Sequence, residues 1–520
     1  MKKNKGLAII CLTSLLALGL ASCKDEEMTA APDDNNRVFY EIFTGSFSDS
    51  NKDGIGDLKG ITNRLDYLNN GRQTKGDSLG VQGIWLTPIF QGNSYHKYDT
   101  VDYYKIDSQF GSNDDLKKLL DEAHKRGIKI IIDLVINHTS TSNQWFRNFE
   151  EAHNTKDTSS KWYNFYSWTT TPSGEKKYQS IGSTNQYYEC NFDSSMPELN
   201  YDNEEVREEM LKVAKYWIDF GVDGFRFDAA KYIYYGDNQK SASFWDWYCK
   251  ELKDYKNDIY TVAEVWDSDG VTDIYYPYVN CFNFTLSGGE GLISDVANGH
   301  YLDKFTKYVS SYNSTIKSYN SDALMCTFQS NHDQNRVSSW IINQDNYKMA
   351  ANIYLLTPGS PFVYYGEEIE MKGSRGSENT DANRRLAMLW GDRDTIKDPT
   401  GANYYEVVGL KNKTVKQNQK DSNSVLNHYK KVIALRNKYL QIGRGDYEAI
   451  VISSSDLGGF KITYNDEVTA LIHNNTYQEL SINIKDIGDY SSIVDYVGIN
   501  KAKLKDGVLT LEAYTSVLLK

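Results

Sequence analysis

Short apolar runs alternate with segments of helical periodicity, such as residues 116–126 and 204–220, between residues 38 and 441, and this alternation constrains the fold more than any other feature. Seven runs have the length and residue types of buried strands, and a weaker eighth lies at residues 281–286. The seven are residues 38–43, 83–86, 128–135, 224–227, 259–263, 323–328 and 361–365. Because strands that alternate with helices form parallel sheets, eight of them predict an α/β fold built on a (β/α)8 TIM barrel. The alternative, a doubly wound open sheet, would normally carry a glycine-rich phosphate-binding turn after its first strand, and none is present.

Two departures from the alternation predict additional domains. Residues 139–201 are rich in Asn, Ser, Thr and Tyr and are too long for a plain loop after the third strand, so we expect an inserted domain B there. After a helix at residues 425–439, short alternating runs predict a C-terminal antiparallel β domain at residues 442–520. The barrel would then consist of residues 37–138 and 202–441.

The N-terminus has the pattern of an export signal. A basic start precedes an apolar run at residues 7–20 that is too short for a good membrane span. The ending Leu-Ala-Ser-Cys at residues 20–23 resembles a bacterial lipobox, which implies that residues 1–22 are a lipoprotein signal peptide and that Cys23 carries lipid. Residues 23–36 would form a tether, and their acidic start resembles surface-export signals. We therefore expect a lipid-anchored protein exposed on the cell outer membrane, with an ordinary signal peptide as the alternative.

Charge and composition narrow the class of ligand. The net charge of −13 argues against nucleic acid or an anionic lipid surface as a partner, because phosphates are held by clustered Lys and Arg. Four cysteines, at positions 190, 249, 281 and 326, lack metal-binding spacing and are expected to be structural thiols. The 40 Tyr and 10 Trp residues supply rings of the kind that stack against sugar faces, which favours polar neutral ligands.

Polar side chains follow several of the predicted strands, at the barrel end where catalytic residues of such folds lie. Arg226 and Asp228 are two residues apart in one strand and therefore face the same way. Glu264 ends the fifth strand, and Asp333 follows the seventh. Singly, such an Arg-Asp pair is more often a structural ion pair and such a Glu a solvated cap. Together, two close carboxylates can hydrolyse a glycoside with retention, Asp228 as nucleophile and Glu264 as proton donor.

The segments DLVINH, GFRFDAAKY, EVW and SNHD occur in that order and resemble the four short signatures of glycoside hydrolase family 13, the alpha-amylase family. The resemblance implies that Asp228 is the nucleophile, Glu264 the acid/base and Asp333 a third carboxylate that orients and distorts the sugar. The segments SYHKYD and TDANRRLAMLW also resemble family motifs. The substrate-binding residues implied in this way are His96, Tyr98, His138, Arg226, Lys231, His332, Asp381 and Arg385, with Arg384 as an alternative to Arg385.

The segment SDSNKDGIGDLKGI, residues 48–61, spaces oxygen donors as a loop around a hard cation would. An EF-hand would need Glu at its twelfth position, which is Gly60 when counted from Asp49. The segment resembles a calcium site that one branch of the family carries after its first barrel strand. The implied Ca²⁺ ligands are Asp49, Asn51, Asp53, the carbonyl oxygen of Ile55, and Asp57. A solvated Asp/Asn/Gly turn is the alternative.

The lipobox and the family motifs together resemble outer-membrane amylases of starch-utilisation systems. A surface enzyme meets polymer first, so we expect endo-acting cleavage of alpha-1,4 bonds in starch and maltooligosaccharides, with other starch-uptake proteins as possible partners. The segment MPELNY at residues 196–201 resembles a signature of the branch between oligo-1,6-glucosidases and neopullulanases. A cyclomaltodextrinase or neopullulanase is therefore the alternative, and a non-catalytic starch-binding protein is a third reading that the three retained carboxylates disfavour.

Overall fold

The computed structural model describes residues 34–377, 379–403, 414–450, 452 and 456–520. The expected signal peptide, the lipid site at Cys23 and most of the expected tether lie outside the described residues. None of the helices in the described part of the chain is long and apolar enough to cross a membrane.

Seven parallel strands form one sheet whose neighbours follow the order of the chain. They are Phe39–Ile42, Gly83–Leu86, Lys129–Leu134, Gly224–Phe227, Tyr260–Ala263, Asn280–Cys281 and Phe362–Tyr364, and the last pairs with the first. The ring closes through two parallel bridges, from Phe282 to Cys326 and from Phe328 to Phe362. The backbone N–H groups of Asn283 and Phe362 donate to the carbonyls of Cys326 and Thr327 at 3.0 and 2.7 Å. The predicted (β/α)8 barrel is therefore confirmed.

A regular seventh strand was predicted at residues 323–328. The structure has isolated bridges at Cys326 and Phe328 in its place. The backbone N–H of Leu324 donates to the side-chain oxygen of Asn280 at 2.8 Å, so a side chain replaces a ladder partner at that point.

Aromatic and aliphatic side chains fill the interior of the barrel. The ring of Phe39 stacks on that of Phe362 at 4.7 Å between centroids. A Cβ on Gly83 would lie 2.3 Å from the Phe39 ring, so this position requires glycine. The interior residues are Phe39, Trp85, Ile131, Tyr260, Val262, Phe282, Cys326, Phe328 and Phe362. Because the interior is packed solid, a ligand can enter only at the ends of the barrel.

Helices surround the barrel. Glu204–Phe220 has the predicted bounds: Asn203 caps its first turn, and Gly221 ends it with a positive φ of 114°. Its buried residues, such as Met210, Val213 and Trp217, lie on one face. The α-helices are Leu58–Asn63, Leu65–Leu68, Asn113–Lys125, Gln144–Thr155, Glu204–Phe220, Asn238–Tyr255, Asp269–Thr272, Leu292–Ala297, Leu302–Tyr319, Gln344–Leu355, Val415–Lys420, Val425–Lys438 and Gln441–Arg444. Short 3-10 helices are Thr44–Ser46, Ala230–Tyr232, Val337–Ser339, Glu367–Ile369, Asp381–Arg384 and Ile484–Asp486.

Two excursions rise from the carboxyl ends of early strands. After the second strand, an antiparallel hairpin of Phe90–Gly92 and Thr100–Ile106 presents the SYHKYD segment at its turn. After the third strand, the insertion forms a three-stranded antiparallel sheet of Trp168–Thr169, Tyr178–Ser180 and Tyr187–Glu189. An antiparallel bridge from His138 to Glu198 joins the two ends of the insertion, which brings its loops beside the barrel rim.

The C-terminal part is antiparallel β structure, as predicted. Five strands form one sheet and three form another, and Ile472, Leu509 and Val517 belong to the apolar core that they share. The strands are Asp446–Ile450, Leu457–Tyr464, Glu467–Asn474, Leu480–Asn483, Ile493–Gly498, Ala502–Lys505, Val508–Leu511 and Thr515–Leu519. The Asn352 side chain donates to the carbonyl of Val497 at 3.3 Å and so joins this domain to the barrel.

Candidate active site

The predicted carboxylates gather at the carboxyl end of the barrel. Asp228 and Glu264 directly follow the fourth and fifth strands, and Asp333 lies on the loop after the seventh. All three line one cavity of about 730 Å³. The predicted residues that line it are His96, Tyr98, His138, Asp228, Lys231, Glu264, Asp333, Asp381 and Arg385. Arg226 and His332 are fully buried and do not line it, but both contact carboxylates that do.

The Arg226 guanidinium is the hub of the site. One of its terminal nitrogens lies 2.7 Å from Asp228 Oδ1 and 2.9 Å from Asp133 Oδ1, and the other lies 2.9 Å from Glu264 Oε1. The guanidinium also stacks over the Trp85 ring at 5.0 Å. Because Asp228 and Glu264 contact neighbouring nitrogens of one planar group, the two carboxylates lie close together. Retaining glycosidases need such a short separation, whereas inverting enzymes leave room for a water molecule.

The two central carboxyl groups, Asp228 and Glu264, differ in the interactions that act on their pKa. Burial raises the pKa of both Asp228 and Glu264, and the Arg226 charge lowers the pKa of both. Asp228 accepts a hydrogen bond from Arg226 at 2.7 Å, whereas the nitrogen nearest Glu264 makes no hydrogen bond. The negative charge of Asp228 further raises the pKa of Glu264. On balance the pKa of both groups is raised. The hydrogen bond that only Asp228 accepts from Arg226 favours the charge on Asp228 and the proton on Glu264.

Asp333 is held ionised by two cations. Arg385 lies 2.6 Å from Asp333 Oδ1, and His332 Nε2 lies 3.1 Å from Oδ2. Burial alone would lower the pKa of His332, but the Asp333 and Glu41 carboxylates raise it to about 10. His332 Nδ1 lies 2.6 Å from Glu41 Oε1, so the imidazolium bridges two carboxylates. These cations hold the pKa of Asp333 well below its usual range despite its burial.

Tyr98 forms one wall of the cavity. Its hydroxyl donates to Asp133 Oδ2 at 3.0 Å and lies 2.6 Å from His332 Nε2, and its ring stacks on the His332 ring at 5.5 Å. Burial lowers the pKa of both His96 and His138 to about 4, so both rings are neutral near pH 7. The buried Nε2 of His138 has no hydrogen-bond partner among the described residues. That nitrogen is available to a substrate hydroxyl.

Arg384 and Arg385, the two candidates for one substrate-binding position, differ in their contacts. Arg385 bonds Asp333, as well as the Tyr95 hydroxyl at 2.9 Å. Arg384 instead lies 3.0 Å from Asp381 Oδ1 and donates to the carbonyl of Asp333 at 2.5 Å. Arg385 therefore lines the cavity beside the reacting groups, and Arg384 supports its edge.

Several residues around the site were not identified from the sequence. Trp266 is 46% exposed and stacks on Phe284 at 4.9 Å, and Phe192 of the insertion is 42% exposed beside Tyr232. Lys231 Nζ donates to the carbonyl of Trp266 at 2.9 Å. Trp266 could have been noticed beside the acid/base candidate in EVW. No local signal marks Phe192, because the folding of the insertion brings it to the rim.

Asp133 and Glu41 were also missed as site residues. Each is a single acidic residue inside an apolar strand, FYEI for Glu41 and KIIIDL for Asp133. Burial of an unpaired charge is costly, so an acidic residue in such a run needs a partner. That requirement was the only sign in the sequence that these two residues belong to the site. Burial and the charge of Asp228 raise the pKa of Asp133 to about 7, although Arg226 opposes the shift.

The expected calcium loop is closed by hydrogen bonds of its own. The Asp49 carboxylate accepts from the backbone N–H groups of Asn51, Lys52 and Gly54 at 3.0, 2.6 and 2.8 Å. Asp57 caps the helix Leu58–Asn63 by accepting from the N–H of Gly60.

The loop fits Ca²⁺ in its donor chemistry, and in this structure its expected ligands are hydrogen-bonded to one another. The expected ligands Asn51, Asp53 and Ile55 bond one another: Asn51 Nδ2 donates to Asp53 Oδ2 at 3.0 Å, and the N–H of Ile55 donates to Asp53 Oδ1 at 2.7 Å. The oxygen donors are of the type that Ca²⁺ prefers. Within the described ranges, however, no three His, Cys, Asp or Glu side chains are grouped to hold a metal ion.

A second segment of the chain is bound to this loop. Thr395 Oγ1 donates to Asp49 Oδ2 at 2.6 Å, and Ser48 Oγ donates to Asp394 Oδ2 at 2.6 Å. Arg64 forms ion pairs with Asp392 and Asp394 at 2.7 and 2.8 Å. These contacts therefore link the loop after the first barrel strand to residues 392–395, which follow the eighth barrel strand.

A profile of known sequences described as the alpha amylase catalytic domain matches residues 41–445. The chain belongs to the alpha-amylase family. It is 35% identical to alpha-amylase 3 of Dictyoglomus thermophilum over 93% of each chain, and 29% identical to an oligo-1,6-glucosidase of Bacillus cereus over 88% of this chain and 93% of that one. The solved structure of Eubacterium rectale Amy13B superposes with a TM-score of 0.86, at 34% identity over 94% of this chain and 96% of that one. The chain is therefore an alpha-amylase-family glycosidase, and its relatives differ in specificity.

Proposed function

We propose that the protein hydrolyses alpha-1,4-glucosidic bonds of starch and maltooligosaccharides with retention of configuration. The observation that carries the proposal is the placement of Asp228 and Glu264 on neighbouring nitrogens of the Arg226 guanidinium. That placement keeps one carboxylate ionised beside a second carboxyl that can hold a proton.

In the first step, Glu264 protonates the glycosidic oxygen while the ionised Asp228 attacks the anomeric carbon. The bond to the leaving sugar breaks, and a covalent glycosyl ester forms on Asp228. In the second step, Glu264 removes a proton from water, and the water oxygen displaces Asp228 from the same carbon. Asp333, held by Arg385 and His332, accepts hydrogen bonds from sugar hydroxyls that strengthen as the ring distorts.

Candidate sugar-binding groups come from distant parts of the rim, which supports an endo-acting enzyme. Tyr98 and Arg385 follow strands 2 and 8, and Lys231 and Trp266 follow strands 4 and 5. A chain that runs across the rim can use both sets of contacts.

We expect mixed maltooligosaccharides as the early products from amylose, with viscosity falling faster than reducing ends appear, because an internal cut shortens the polymer at once. The measurement pairs chromatography of the products with viscometry, and pullulan and cyclodextrin serve as comparison substrates. Glucose as the sole initial product, or cyclodextrin cleaved much faster than starch, would assign the chain to the oligosaccharide-cleaving alternative. Binding of starch without any product would support the non-catalytic one.

We propose Ca²⁺ as a structural ion of the loop at residues 49–57, on the support of its oxygen donors. A cation that binds only the folded state raises stability, by about 2.7 kcal/mol at a hundredfold excess over its dissociation constant. We expect EDTA to lower the melting temperature, and Asp53→Ala to remove that sensitivity. Asp66→Ala is the control, because Asp66 is an exposed aspartate outside the loop. A melting temperature indifferent to the chelator would show that the internal hydrogen bonds suffice.

We propose that Cys23 anchors the mature protein to the outer membrane, on the support of the lipobox-like segment at residues 20–23. We expect Cys23→Ser to move the activity from the membrane fraction to the soluble fraction, since thioether attachment of lipid needs the thiol. Ser22→Ala is the matched control and should leave the fractionation unchanged. Retention of the Cys23→Ser protein in the membrane fraction would refute the lipid anchor.

A further inference from the structure

The carboxylate of Asp381 lines the cavity beside the reacting groups and is 33% exposed. Arg375 meets it as a fork: Nε lies 2.7 Å from Oδ1 and Nη2 lies 3.1 Å from Oδ2. Arg384 adds a third contact, from Nη1 to Oδ1 at 3.0 Å. Burial raises the pKa of Asp381, but the hydrogen bond from Arg375 and the charges of Arg385 and Arg375 outweigh it, so the pKa is lowered.

The contacts of Asp381 can be counted against the hydrogen bonds that its carboxylate can accept. An ionised carboxylate offers about four lone-pair positions, two on each oxygen. Arg375 and Arg384 occupy both positions on Oδ1 of Asp381, and Arg375 occupies one on Oδ2. One acceptor position remains, on Oδ2, and it is the position that a sugar hydroxyl can use.

Both arginines are anchored at one point on the loop that carries Asp333. The backbone N–H of Arg375 donates to Asn335 Oδ1 at 3.3 Å, and Arg384 Nε donates to the same oxygen at 3.0 Å. The carbonyl of Arg375 accepts from the N–H of Thr380 at 3.2 Å, which closes the turn that returns to Asp381. The orientation of Asp381 is thus tied to the loop of the third carboxylate.

We propose that Arg375 is a positioning residue for sugar binding: its guanidinium fork holds Asp381 so that a single carboxylate acceptor faces the cavity. This inference rests on the proposed function, since it assigns Asp381 to substrate. Arg375 itself does not line the cavity and acts through Asp381. A lysine cannot replace it fully, because an ammonium is a point donor and cannot fill both oxygens at once.

The test compares kcat and KM on a short nitrophenyl maltooligosaccharide for Arg375→Gln, Arg375→Lys, Asp381→Asn and the double variant Arg375→Gln/Asp381→Asn. We expect Arg375→Gln to lower kcat/KM about tenfold, mainly through KM. The reason is that a charge-assisted contact to the sugar is lost in the bound substrate and in the transition state alike. Arg375→Lys should recover part of the loss. In the Asp381→Asn background, Arg375→Gln should have little further effect.

The control is Arg444→Gln, which breaks a similar forked pair, with Asp34, outside the cavity. It should leave KM unchanged. Independent losses in the double variant, or a fall in kcat at unchanged KM with a lower melting temperature, would overturn the inference. Asp228→Asn distinguishes failure of this inference from failure of the proposed function. If Asp228→Asn is inactive and Arg375→Gln matches the wild type, only the inference about Arg375 fails. An active Asp228→Asn enzyme would contradict the proposed function itself.

Discussion

We expect Glu264→Gln to lower turnover on starch by about 10³-fold, because a positioned proton donor contributes about 10² to 10⁴ to such a reaction. The amide has nearly the shape of the acid but cannot supply a proton to the leaving oxygen. Glu264 lies beside Arg226, and the amide has nearly the same volume, so the substitution opens no cavity. The melting temperature should therefore show that the variant is folded, and kcat on amylose measures the loss.

The control for this substitution is Glu290→Gln, which makes the same chemical change at an exposed position that does not line the cavity. In the wild type, activity should fall as pH rises through the pKa of Glu264, which burial raises. The residual activity of Glu264→Gln should lack that alkaline decline. Near-normal turnover in the purified, folded variant would rule out Glu264 as the acid/base.

We expect Asp228→Asn to lower turnover by about 10⁴-fold or more, because removal of a nucleophile abolishes the two-step path. Unlike Glu264→Gln, this variant should fail even on a glycosyl fluoride, whose leaving group needs no proton. Measurement of fluoride release separates the two roles. Glu264→Gln should keep a fast first release of fluoride, about one equivalent per enzyme, because only the later hydrolysis of the ester needs the missing base. Equal losses of this first release in both variants would contradict the roles assigned to Asp228 and Glu264.

The parts of the fold that follow from local pattern could be predicted. The strand Gly224–Phe227 and the helix Glu204–Phe220 have the predicted bounds, since an apolar run and a capped amphipathic segment each carry their own signal. The hairpin of Phe90–Gly92 and Thr100–Ile106 was not predicted, because its register shifts and its exposed residues hide the alternation.

The parts of the site that depend on contacts distant in sequence could not be predicted. The family motifs allowed Asp228, Glu264 and Asp333 to be predicted at one end of the barrel. Nothing near His332 in the sequence shows that Glu41 lies 2.6 Å from its ring, because the two are brought together only when the barrel closes. The fork of Arg375 on Asp381 likewise exists only once the loop after the eighth strand has folded back.

The most direct test of the account is to trap the glycosyl-enzyme. Incubation of Glu264→Gln with a fluorinated maltosyl fluoride should form the ester quickly and hydrolyse it slowly, since neither trapping nor departure of fluoride needs the missing acid, whereas release of the sugar needs the missing base. Digestion followed by mass spectrometry should then place the sugar on the peptide that contains Asp228. No label at that peptide, or label that persists there in Asp228→Asn, would contradict the assignment of Asp228 as the nucleophile.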